Sequence, residues 1–223
     1  MKVILFGATG MVGQGALREC LLKSEVETVL TVGRSKTGLG NAKLQEIEQK
    51  DLGNLSAIEN ELAGFDACFF CLGVSSAGMK EQEYTRVTYD LTLAVAKTLY
   101  RLNPNMTFIY VSGTGTDSTE KGRSMWARVK GKTENDLLRM GFKAAYMFRP
   151  GFIMPMDGIK SKTPLYAAIY RFIGPLYPVL RATVPKYVTD TRQVGLAMIR
   201  AAAHGSPKTH LENSDINALA ALG

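Results

Sequence analysis

The chain has 223 residues, 46% hydrophobic and 21% charged, a balance that gives a globular protein room for a substantial core. No stretch reaches the roughly eighteen uninterrupted apolar residues of a membrane span, and the short apolar run after Met1-Lys2 opens into a glycine turn rather than a cleavable leader. The formal charge of +7 lies mainly after Lys121, in Arg123, Arg128, Lys130, Lys132, Arg139 and Lys143. No zinc-finger, RNP-type or recognition-helix pattern accompanies it, so it reads as a solvated basic face and partly as a match for an anionic ligand, not as a nucleic-acid surface.

Val3 to Phe6 form a short apolar run suited to the first strand of a parallel sheet, and from Met11 apolar residues recur at helical spacing through Leu17, Cys20 and Leu21. Between them lies Gly7-Ala8-Thr9-Gly10-Met11-Val12-Gly13. Gly7 permits a tight reversal, Gly10 lets backbone approach a pyrophosphate, and Gly13 allows close helix–strand packing. The following helix N-terminus offers free N–H groups to the phosphates, which makes a dinucleotide the first expectation.

Strand and helix signals then alternate. Val26 to Val32 read as a second strand, Lys43 to Ile47 as a weaker third, and Asn54 to Leu62 as a short helix. Ala67 to Leu72 is a buried strand, Glu81 to Arg101 a helix stopped before Asn103-Pro104, and Met106 to Val111 the fifth strand. A loop through Gly113, Gly115 and Gly122 precedes a helix of Met125 to Met140, and Ala144 to Phe148 form a sixth strand ending at Arg149-Pro150-Gly151. From Phe152 onward prolines punctuate short aromatic and basic segments containing Tyr166, Tyr170, Phe172 and Tyr187, as expected of a substrate lid or a dimer surface. Asp190 is placed to cap a helix through Ala203, and Asp215 to cap a terminal one. The expected architecture is α/β: a Rossmann-like, doubly wound parallel sheet over residues 1–151, with a small C-terminal lid or substrate region over 152–223 packed on it.

Cys20, Cys68 and Cys71 make no secreted framework, and the thiols of Cys68-Phe69-Phe70-Cys71 fall on opposite faces of a strand, as core residues do. A reducing, cytoplasmic location is expected. His204 and His210 form no metal-ligand cluster, so no metal is expected.

At the end of the second strand, where an acid would bind a ribose 2′-hydroxyl, the chain has Val32-Gly33-Arg34-Ser35-Lys36. Arg34 can pair with a 2′-phosphate while lying over the adenine, with Ser35 or Lys36 adding a donor, so NADP is favoured over NAD. Asp51-Leu52 are expected to flank the adenine, and Cys71-Leu72-Gly73 to let the chain pass the cofactor.

These segments, with Val111-Ser112, Val129-Lys130-Gly131, Phe148-Arg149-Pro150-Gly151 and Leu211-Glu212-Asn213, resemble the short-chain dehydrogenase/reductase superfamily. Within it, the chain looks like the atypical, NAD-dependent epimerase/dehydratase-like branch that includes the Tat-interacting-protein oxidoreductases. The resemblance implies that Gly7, Thr9, Gly10, Met11, Val12, Gly13, Pro150 and Gly151 contact the cofactor, that Ser112 holds a substrate carbonyl, and that Lys130 grips the nicotinamide ribose. Where that family places the proton-exchanging Tyr of Tyr-x-x-x-Lys, this chain has Trp126, in Trp126-Ala127-Arg128-Val129-Lys130. The spacing keeps Trp126 and Lys130 on one helical face, but an indole N–H does not release a proton near neutral pH. Tyr84, Tyr89 and Tyr110 are the phenols considered as replacements. The expected function is an NADP(H)-dependent oxidoreductase on a small carbonyl or alcohol with a non-standard site, as a monomer or homodimer; the alternative is an NADP(H)-binding regulatory or scaffold protein of little catalytic power.

Overall fold

Both faces of the first strand are apolar because both are covered. The computed structural model describes residues 1–159 and 177–222. In it, Val3 and Leu5 of β1 (Lys2–Phe6) point into one core, and Ile4 and Phe6 into another on the opposite side. Beyond β1 the chain runs through α1 (Met11–Leu22), β2 (Thr28–Gly33), β3 (Leu44–Glu48), a 3₁₀ turn (Ser56–Leu62) and β4 (Ala67–Phe70). It continues through α2 (Glu81–Thr85), a π-helical turn (Arg86–Asp90) and α3 (Leu91–Leu102), then β5 (Thr107–Val111), α4 (Met125–Arg139) and β6 (Ala144–Arg149). The C-terminal part holds β7 (Phe152–Met154), α5 (Tyr177–Thr183), β8 (Val188–Asp190), α6 (Thr191–His204), β9 (His210–Glu212) and α7 (Asn213–Ala220).

Seven strands form one parallel sheet in the order β3-β2-β1-β4-β5-β6-β9, and β7 pairs with β8 in a small second sheet, also parallel. The order in which strands are added reverses between β1 and β4, which opens a crevice beyond their C-terminal ends, where doubly wound sheets bind ligands. One core gathers Leu17 of α1, Phe69, Phe148 and Met198 of α6; the other gathers Phe70, Val95 and Leu99 of α3, Phe108 and Leu137 of α4. In the second core the rings of Phe6, Phe70, Phe108 and Phe142 follow one another at centroid spacings of 5.7, 6.0 and 5.0 Å. Cys68 belongs to this core while Cys71 packs against the first, and all three cysteines are unpaired. Among the described residues no helix is long and apolar enough to cross a membrane.

Several local expectations are corrected. The helix expected over 54–62 is a kinked 3₁₀ segment, because Asn54 Oδ1 takes the Ser56 N–H at 3.1 Å and hydroxyl at 2.8 Å, closing a local turn that competes with a helix start. The long helix after β4 is interrupted by its π turn, which periodicity did not foretell. Asp215 does not cap α7: Glu212 is the N-cap, and Asp215 completes a capping box with it as the third helical residue. The C-terminal part also supplies β9 to the main sheet and α6 to its core, besides the region over the strand ends. The middle of the expected lid, 160–176, with Tyr166, Tyr170 and Phe172, lies outside the described residues.

Asp190 does cap α6, taking the Gln193 N–H on Oδ1 at 2.8 Å while Oδ2 accepts the Tyr177 hydroxyl at 2.6 Å. Asp190→Ala is expected to lower the unfolding free energy by about 1–2 kcal/mol, a loss readable in a urea transition.

Candidate functional site

Three cysteines aside, the residues with chemistry collect at the C-terminal ends of β1, β2, β4 and β5. Gly7, directly after β1, has φ +83°, and a Cβ there would lie 2.7 Å from the Cys71 carbonyl carbon, so the turn passes hard against the chain leaving β4. Gly13, in the first turn of α1, is closer still: its Cβ would stand 2.0 Å from the Gly7 carbonyl oxygen. Gly10 occupies the N-cap without a side-chain hydrogen bond, which leaves the first N–H groups of α1 open to an anion. Beside this turn is a recess of about 120 Å³ lined by Gly7, Ala8, Thr9, Thr31, Val32, Gly33, Arg34, Ser35, Leu52 and Leu72.

The recess shares Arg34, Leu52 and Leu72 with a cleft of about 520 Å³ that also holds Lys50, Asp51, Gly73, Val74 and, from the π turn, Arg86, Val87 and Asp90. The π turn thus faces the cleft. Such turns are rare and concentrate at functional sites. Lys36 is exposed and borders neither hollow. Met11 and Val12 form the first turn of α1, Val12 packing on the core, and Cys71 stands behind Gly7, its thiol pushed up to about 12 by burial. A larger hollow of about 610 Å³ along α1 is mainly aliphatic, and its cation, Arg18, is paired with Glu19 at 2.5 Å and Asp157 at 3.3 Å.

At the end of β5 the arrangement departs from expectation. Ser112 is buried and its hydroxyl donates inward to Glu134 Oε1 at 2.5 Å, with Phe148 O at 3.2 Å, so its proton is committed away from the strand ends. Glu134 is fully buried and bonded by the guanidinium of Arg149, whose Nε lies 3.0 Å from Oε1. Arg149 reaches on to Ser118 Oγ at 2.5 Å and Glu212 at 3.3 Å, and His210 Nε2, buried without a hydrogen bond, stands 3.6 Å from Glu134 Oε2. The exposed hydroxyl here is that of Thr114, two residues on, which donates to Arg149 O at 3.0 Å. Sequence reading missed Glu134 and Thr114. The first could have been found from its position one turn after Lys130 on the same helical face.

Lys130 sits on α4 with its ammonium donating to the Ser112 carbonyl oxygen. Burial lowers its pKa to about 8, against the opposing pull of Glu134. Trp126, one turn earlier and partly buried, lays its indole beside the turn after β5: a side chain at Gly115 would meet the ring edge at 3.4 Å. The considered phenols are elsewhere engaged. Tyr110 lies within β5 and Tyr84 within α2, both buried and with pKa raised by that burial; Tyr89 donates to Asp136 Oδ2 at 2.7 Å. Pro150 O accepts the Thr114 N–H, and the Gly151 N–H is spent on Asn213 Oδ1 at 3.0 Å, so Gly151 ties the sheet to the C-terminal part and has no donor left for a cofactor. Much of the basic excess is paired within the chain: Arg128 binds the carbonyls of Gly122 and Arg123 and the carboxylate of Glu81, while the exposed Lys132 and Arg139 pair with Asp136.

A seven-stranded parallel sheet with a glycine cradle at its switch point defines a doubly wound, Rossmann-type α/β protein. Residues 3–122 match the model of the NAD dependent epimerase/dehydratase family, and the chain belongs to that family. Over 200 residues it is 27% identical to Protein fmp52-2, mitochondrial, of Aspergillus terreus, covering 89% of this chain and 85% of that protein. Its fold is similar to that of the YIR035C short chain dehydrogenase/reductase from Saccharomyces cerevisiae, with TM-score 0.66, 15% identity and coverage of 99% and 98% of the two chains. It is similar also to the Bordetella bronchiseptica enzyme WbmF, solved in complex with NAD+, with TM-score 0.66, 16% identity and coverage of 99% and 76%. The family is nicotinamide-dinucleotide dependent, and the uncapped helix start and the recess beside it suit a pyrophosphate and its ribose. The relatives overturn the cytoplasmic expectation, since fmp52-2 and further fungal relatives are named as mitochondrial proteins. The three unpaired cysteines do not say in which compartment the chain resides.

Proposed function

We propose that the protein is an NADP(H)-dependent oxidoreductase acting on a small carbonyl or alcohol. The supporting observation is Arg34, which has no side-chain partner among the described residues and lines both the recess at the glycine turn and the adjoining cleft, where an NAD-preferring chain would present an acid. In this reading Gly7, Thr9, Gly10 and Gly13 cradle the pyrophosphate, Arg34 and Ser35 take the 2′-phosphate, and Asp51, Leu52, Leu72 and Gly73 enclose the adenine. Lys130 holds the nicotinamide ribose, and Thr114, rather than the inward-turned Ser112, is the residue exposed to the substrate side. Residues 1–151 then supply the cofactor groove and 152–223 the substrate side.

Arg34→Ala is expected to weaken NADPH binding by roughly 10- to 150-fold, the equivalent of a charge-assisted contact of about 1.5–3 kcal/mol, and to leave NADH nearly unchanged. Equal losses measured by calorimetry would remove the 2′-phosphate role. The second reading, an NADP(H)-binding regulatory protein, is favoured by Trp126 alone. Trp126→Tyr separates the two: if the indole blocks reduction, the restored phenol raises turnover on a carbonyl panel, whereas a panel flat in both forms with NADPH bound supports the regulatory reading.

A further inference from the structure

The site contains a proton-transfer problem that its own residues can solve. Reduction of a carbonyl needs an acid beside the carbonyl oxygen, and Trp126 does not provide one. Ser112 is turned into Glu134, Tyr84 and Tyr110 are buried in their own elements, and Tyr89 is bonded to Asp136. Among the described residues at the end of β5, Lys130 is the side chain that both carries an ionisable proton and shares the helical face of Trp126. One ammonium hydrogen goes to Ser112 O, which fixes the group; two remain for a ribose hydroxyl and a substrate.

We propose that Lys130 Nζ delivers the proton to the oxygen of a small aldehyde or ketone, in the place that a phenol holds in Tyr-x-x-x-Lys sites. The proposal rests on the oxidoreductase reading above. In the step, the carbonyl carbon receives a hydride from the reduced nicotinamide, the π electrons move to oxygen, and oxygen takes a proton from Nζ. The N–H bond breaks, the electron pair stays on nitrogen, and the neutral amine regains a proton from water. Carbon is reduced by two electrons and the nicotinamide is oxidised by two. Burial destabilises the ammonium and lowers its pKa to about 8, against the pull of Glu134, in the range of an acid that works near neutrality. The charged group that acts on Lys130 is Glu134, one turn on along α4; Glu134 in turn is met by Tyr110 of β5, Arg149 of β6 and His210 of β9, and Glu212 of β9 reaches only Arg149.

The test uses the full chain with NADPH and two probes, benzaldehyde and cyclohexanone. Wild-type hydride-transfer rate should be high at low pH and fall as pH rises through about 8. Lys130→Arg keeps a cation for Ser112 O and the ribose but holds its proton, so NADPH affinity should stay within about threefold while the rate drops about 10²- to 10⁴-fold and the limb disappears. Histidines in general titrate near neutral pH, so the profile is repeated in His210→Gln, where the limb should persist. Independently of turnover, the Lys130 ε-methylene NMR signal of the cofactor-free protein, assigned by its loss in Lys130→Arg, should titrate near pH 8. A midpoint near the ordinary lysine value of about 10.4 overturns the proposal, as does a limb that survives Lys130→Arg or vanishes in His210→Gln. Each of these three results leaves the oxidoreductase reading standing. No turnover of either probe with NADPH bound overturns the proposal and that reading together.

Discussion

Arg149→Ala is expected to remove about 3–5 kcal/mol of folding free energy, because it strands the carboxylate of Glu134 inside the protein. Glu134 has no exposed side-chain surface and Arg149 only 12%, so water cannot readily replace the guanidinium. What would remain around the carboxylate is the Ser112 hydroxyl, His210 Nε2 at 3.6 Å, and at longer range the Lys130 ammonium, whose hydrogen bond goes to Ser112 O and not to the carboxylate. Against a typical total of about 5–15 kcal/mol, the loss brings the variant near the edge of folding. A urea transition followed by far-ultraviolet dichroism measures it. The double variant Glu134→Met/Arg149→Leu should recover most of the loss, since it removes both charges and fills similar volume. If the single variant is as stable as the parent, the pair is not desolvated as described.

Gly13→Ala should act as strongly on the cofactor. Within a helix this substitution ordinarily stabilises by about 0.5–1 kcal/mol, through the unfolded chain's lost freedom. Here the sign reverses, because the new methyl would lie 2.0 Å from the Gly7 carbonyl oxygen, a backbone atom that no rotamer change can move. The start of α1 must swing away from the end of β1, taking its open N–H groups off the pyrophosphate position. NADPH binding should fall at least about a hundredfold, with a lowered thermal midpoint, whereas Gly40→Ala, whose Cβ meets nothing within 4 Å, tests the loss of a surface glycine elsewhere. Undiminished NADPH affinity in Gly13→Ala would show that the cofactor does not sit on this turn.

The first strand, the glycine turn and α1 were legible because strong local signals stand side by side: four apolar residues, spaced glycines, then helical periodicity. β4 and β5 were legible for the same reason. β7, β8 and β9 were not, since three residues each are too few to show alternation, and they exist only because distant partners pair with them. In the site, Trp126 and Lys130 could be read from their spacing. The inward turn of Ser112 could not, because it depends on Glu134, 22 residues away, and on Arg149, both charged types that a sequence assigns to the surface. With Ser112 turned inward, the exposed residue at the end of β5 is Thr114, two positions on, its own hydroxyl bonded to Arg149 O.

The π turn at Arg86–Asp90 gives the cleft an adjustable wall. A π turn holds one residue more than an α turn, and each residue of an α-helix advances the azimuth by roughly 100°. Removing a single residue there would let the helix close into regular α geometry while α3 kept its Val95 and Leu99 in the core. Everything N-terminal to the deletion, Arg86 included, would then be rotated about the helix axis and carried off the cleft. Insertions and deletions of one residue at this point therefore offer evolution a way to exchange the side chains facing the cleft without disturbing the core behind them.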